Sequence, residues 1–101
     1  MSAKPTPKRM VANAVLDNIK RITQVLIERK CARASCETSW GKQRDLANDE
    51  RVSGIEFTAQ DEKDSKAALA GYDRDIADIE QELKQWHEAL GHALDSLEGR
   101  V

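Results

Sequence analysis

Residues 69–97 read Leu69-AGYDRDIADIEQELKQWHEALGHALDS-Leu97, and the spacing of apolar residues in this stretch decides the fold. Leu69, Tyr72, Ile76, Ile79, Leu83, Trp86, Leu90, Ala93 and Leu97 follow one another at alternating intervals of three and four. A strand repeats every two residues, whereas this interval places every member on one side of an α-helix. Sustained over four heptads, it is the a/d pattern of a helix that packs along its length against another helix. Gly71 and Gly91 lie off this stripe, each at a propensity cost of up to ~1 kcal/mol relative to alanine. Upstream, Thr58 with Asp61 three residues on is an acidic form of the capping box. Asp61, Glu62 and Asp64 then place negative charge at the positive end of the helix dipole. Gly99 is a stop signal. The spacing therefore predicts a helix over about 59–98, which at 1.5 Å per residue is ~60 Å long.

A helix of that length cannot bury its stripe alone, and the first half of the chain supplies a match. Thr6-Pro7 reads as a helix start, because proline at the first helical position gives up a donor that has no partner anyway. Ala12, Val15, Ile19, Ile22 and Leu26 repeat at three and four, with Val11, Leu16 and Val25 broadening the stripe. After Ile27 the apolar pattern fades, and the same side runs on through Arg29, Arg33, Cys36 and Trp40. No proline follows Pro7, so the first helix is expected to continue to about residue 48. Residues 49–58 are the turn, with Gly54 easing the backbone and Val52, Ile55 and Phe57 offering apolar cover for the helix ends. Residues 1–6 read as a disordered basic tail and 7–101 as a single domain. The predicted fold is all-α: a long antiparallel helical hairpin, a coiled coil completed as a dimeric four-helix bundle.

Charge divides along the chain. The 101 residues sum to −2, but residues 1–44 carry +7 and residues 45–101 carry −9. Two halves of opposite sign lying side by side neutralise each other, and Lys20, Arg21, Arg29, Lys30 and Arg33 are expected to face the acids of the second helix. Such pairs set orientation more than stability, at ~0.2–1 kcal/mol each when exposed. Charged residues are 34% of the chain and aromatics only 4%, which suits thin helices with wet surfaces rather than a thick core. Cys31 and Cys36, five apart on one helix, have Cα atoms ~8–9 Å apart, beyond the ~7 Å reach of a disulfide. A reducing, cytoplasmic setting is expected. No apolar run of ~7–15 residues follows Lys4, Lys8 and Arg9, so no secretory leader is expected. Nor does any stretch approach the ~20 apolar residues of a membrane span.

The chemistry-bearing residues form no catalytic pattern. Cys31 with Cys36 and His87 with His92 are five apart, which rotates each pair about 140° around a helix, whereas metal pairs on helices take separations of three or four. No nucleophile has a base and an orienting third group beside it, and no glycine-rich phosphate loop is present. Neither catalysis, a cofactor nor a metal is expected. Trp40-Gly41, near the middle of a helical chain of this length, resembles the family of small secreted hairpins with a Trp-x-Gly turn in length and architecture only. Here glycine follows Trp40 directly, and Ile76 stands four after Tyr72, where that family has an acid. Trp40 is read as covering the stripe near Leu69 and Tyr72 or as anchoring a partner.

The expectation is a non-catalytic interaction or regulatory protein, with Leu69, Tyr72, Ile76, Ile79, Leu83, Trp86, Leu90 and Leu97 as the packing stripe and a second copy or another protein as partner. Two further readings attach to the charged ends. Lys4, Lys8 and Arg9, with Lys20, Arg21 and Trp40, form a candidate contact surface for nucleic acid or a partner, though an overall pI near 5.7 weighs against nucleic acid. Asp73, Asp75, Asp78, Glu80 and Glu82 form a candidate acidic contact that would imitate a phosphate backbone and block a nucleic-acid-processing enzyme.

Overall fold

The computed structural model describes residues 7–99 and consists of two long helices, α1 (Pro7–Ala47) and α2 (Ala59–Leu97), with no strand among the described residues. The chain is therefore an all-α helical hairpin, as the spacing predicts. Its helix ends fall within a residue of the expected ones, and α1 runs unbroken through Trp40-Gly41. The tail, Lys4, Thr6 and Val101 lie outside the described residues.

The helix ends follow from named residues. The backbone N–H of Thr58 donates to Asp61 Oδ2 at 2.9 Å, and that of Asp61 donates to Thr58 Oγ at 3.1 Å. This reciprocal pair satisfies two of the donors a helix start leaves open. At the other end of α2, the N–H of Gly99 donates to the carbonyl of Ser96 at 3.3 Å with φ at +72°, a left-handed stop for which glycine is suited. α1 ends where Asp49 takes over. Its carboxylate accepts from the Arg51 N–H at 2.9 Å and from Arg51 Nε and Nη2, each at 3.1 Å, while its carbonyl accepts from Val52 N–H at 3.0 Å. This local turn offers the backbone an alternative to another helical residue. Gly54, at φ +84°, lets the chain reverse toward Thr58.

The contacts divide the chain into two compact units, one comprising the segments up to Leu26 and from Asp78 onward, the other Ile27–Ala77. In the first, the end unit, Ala12, Val15, Ile19 and Ile22 are buried at 6–8% exposure. These are four of the five stripe residues read from the sequence, and Leu26 is half-buried. On α2 in this unit Ile79, Leu83, Trp86, Leu90 and Ala93 are half-buried, and Leu97 is 38% exposed.

In the second, the turn unit, the apolar core thins to Ile76, with Leu69 and Tyr72 half-buried beside it. Here the inward side of α1 is made of other chemistry: Arg33, Cys36, Trp40, Gln43 and Ala47 keep the three-and-four spacing and are half-buried. Long side chains of this type cover apolar surface with their stems and leave their polar ends at the edge. Arg33 does so while pairing with Glu37 at 2.7 Å and across to Asp73 of α2 at 2.5 Å. Gln43 Nε2 donates to the Glu56 carbonyl at 3.1 Å. Ser65 is buried on α2, its hydroxyl donating to the Glu62 carbonyl at 2.8 Å, so burial strands no polar atom.

Candidate protein-docking surfaces

The described residues form a concave site within each unit. In the turn unit, Trp40 and Phe57 meet edge to face, with ring centroids 6.3 Å apart and planes at 72°. This is the arrangement in which the positive edge of one ring meets the negative face of the other. α1 positions Trp40, and the segment after Gly54 brings Phe57 to it. Together with Leu69 and Ser65 they line a cavity of about 240 Å³, rimmed by Glu37, Arg44, Glu62 and Lys66. The sequence places Trp40 near Leu69, and both line this cavity. Phe57, expected from the sequence to cover the helix ends, supplies the ring partner. Ile55, read in the same role, is 37% exposed.

The charges of the rim are largely matched within the unit. Lys66 pairs with Glu62 at 3.4 Å one helical turn away. Hydrogen bonds to Asp73 and then Glu37 hold the Arg33 guanidinium above its ordinary pKa. In the turn itself, the Arg51 guanidinium and backbone N–H hold the Asp49 carboxyl below its ordinary value.

In the end unit a shallower groove of about 180 Å³ lies between the helices, lined by Lys8, Val11, Ala93 and Ser96. Lys8 reaches across it, its Nζ 3.5 Å from the Ser96 carbonyl. Val11, which lines the groove, and Met10 are each 57% exposed, and elsewhere in the unit Val25, Leu94 and Leu97 are between 37 and 44% exposed. The end unit thus has a buried inner side, with Val11 and Val25 meeting solvent on the groove's flank and Leu16 and Leu94 on the opposite one.

The charged candidates are exposed throughout. Arg9, Lys20 and Arg21 lie on the surface of α1, and Arg21 donates to Asn18 Oδ1 at 3.0 Å on its own helix rather than to an acid of α2. Asp73, Asp75, Asp78, Glu80 and Glu82 are all exposed. Residues two apart on a helix point about 200° apart. Asp73 and Asp75 therefore face different sides, as do Asp78 and Glu80, and the acids flank the helix instead of forming one strip. Cys31, His87 and His92 are exposed, and Cys36 is half-buried. Among the described residues no three His, Cys, Asp or Glu side chains gather where they could hold a metal ion. No helix is long and apolar enough to cross a membrane.

Ser65 and Gln43 were missed by sequence reasoning. Ser65 stands four residues before Leu69, so it continues the stripe, but its polar side chain hides it from an apolar count. Gln43 likewise continues the α1 spacing from Trp40.

Fold and surfaces together define an all-α helical hairpin whose concave sites are apolar at the centre and charged at the rim. No protein-family model, no curated protein and no solved structure matches the chain.

Proposed function

We propose that this is a non-catalytic interaction protein, an adaptor or regulator, whose helices use the uncovered flank of the hairpin to pack against the helices of another protein chain. The observation that carries this reading is incomplete burial. Among the described residues only Ala12, Val15, Ile19, Ile22 and Ile76 are buried apolar side chains, a small core for two helices of 41 and 39 residues. Among the described residues no large side chain is fully buried, while Val11 and Val25 on the groove side of α1 are exposed. The long coiled-coil stripe read from residues 69–97 supports a partner of the same kind, because helices of this pattern bury their flanks against further helices.

A dye that fluoresces on exposed apolar surface, anilinonaphthalene sulfonate, tests the reading. At high dilution the native, helical chain should take up the dye, and covering the flank should expel it. A fully helical chain that takes up no dye at any dilution would overturn the proposal.

A further inference from the structure

The uncovered flank of the end unit has a composition that specifies what covers it. Val11 lines the groove on the α1 side and Ala93 on the α2 side. Residues three, four, seven or so apart share a side of a helix, so the flank marked by Val11 continues through Arg21 and Val25. The flank marked by Ala93 continues back through Ala89 to Glu82. Each helix thus carries a second stripe beside the core, apolar or small at Val11 and Ala93 and charged further from the free ends, positive at Arg21 on α1 and negative at Glu82 on α2.

The heights match as well. Lys8 reaches the carbonyl of Ser96, so within this unit position i of α1 lies level with about position 104 − i of α2 by the equal rise of the two helices. Val11 is then level with Ala93, and Arg21 with residue 83, next to Glu82.

The remaining charge has the same sense. α1 holds nine basic and four acidic residues, whereas α2 holds four basic and ten acidic ones. Among the described residues Lys20, Asp78, Glu80 and Glu82 make no ion pair within the chain.

From this we infer that the end-unit flank is a self-complementary interface for a second copy of the chain, related by a two-fold axis parallel to the helices. That operation lays α1 of each copy antiparallel to α2 of the other at equal height. Val11 packs on Ala93 of the second copy, and Arg21 meets Glu82 of the second copy, twice per dimer. Four helices then alternate in direction and in charge, which is favourable for both dipoles and side chains. The inference rests on the reading of the chain as an interaction protein and names its partner.

Charge exchange tests it, followed by sedimentation velocity at moderate salt with circular dichroism on each sample. The natural chain should sediment as a dimer. Arg21→Glu and Glu82→Arg should each weaken dimerisation at least about tenfold, because each places two like-charge pairs in the interface. The double variant should recover most of the loss. Both positions are exposed, so helicity should be unchanged. A natural chain that is monomeric yet takes up the apolar dye would overturn the second-copy inference and leave the interaction reading standing. A dimer indifferent to both single variants would place the interface elsewhere and overturn the inference equally.

Discussion

Ile19→Ala tests which side of α1 is core. Ile19 is 7% exposed in the end unit, flanked on its stripe by Val15 and Ile22. The substitution removes three carbons from a buried site, at ~0.8 kcal/mol per methylene, or about 2.2 kcal/mol after allowing for the residual exposure. The flank is close to solvent and can relax, so the cavity contribution is small and the total stays near the low end of the ~2–5 kcal/mol range for such changes. For a chain of 101 residues, unfolding entropy near 2.1 cal/mol/K per residue converts this into a fall in Tm of about 10 °C. Ile27→Ala is the internal comparison. Ile27 is 50% exposed, so half the transfer loss remains, a cost of about 1.2 kcal/mol before the few tenths of helix propensity that alanine recovers at either position. Urea and thermal unfolding at one fixed protein concentration measure both. If Ile27→Ala costs as much as Ile19→Ala, the side assigned to the core is wrong.

Thr58→Ala removes the hydroxyl that caps Asp61 N–H and should cost ~0.5–2 kcal/mol, read as a lower urea midpoint. The Asp49 carboxyl is held below its ordinary pKa of 3.8 by Arg51. A depressed carboxyl contributes stability that is present above its unfolded pKa and lost as pH falls through the folded one. The urea midpoint should therefore decline on acidification through and below the ordinary aspartate range, and Arg51→Gln should flatten that part of the curve. Cys31 is exposed and Cys36 half-buried, so a thiol reagent should modify Cys31 first in the native chain, with equal rates in denaturant.

The hairpin was legible because its strongest signal is periodic. Nine apolar residues from Leu69 to Leu97 keep one spacing, and burial of α1 at Ala12, Val15, Ile19 and Ile22 follows theirs. The capping pair Thr58 and Asp61 was readable because its residue types and spacing are the mechanism itself. The continuation of α1 past Ile27 carried a weaker signal. There the inward positions are Arg33, Cys36, Trp40 and Gln43, and a count of apolar residues sees only a fading pattern. Which acids meet which bases was less legible still. Arg33 finds Asp73, but Arg21 turns to Asn18 on its own helix. Exposed long side chains choose among several partners of similar energy, and nothing in a linear sequence breaks that near-degeneracy. The meeting of Trp40 and Phe57 depends on where the turn after Gly54 sends the chain, a conformation that several residues set jointly.

The central claim is that the hairpin leaves an apolar flank for another helical chain to cover, with a second copy as the occupant. Sedimentation equilibrium of the natural protein over a wide concentration range tests it most directly. The account predicts a mass that rises with concentration from 11.3 kDa to twice that value and stops there. A mass of one chain at every concentration, from a protein that is fully helical throughout, would contradict it.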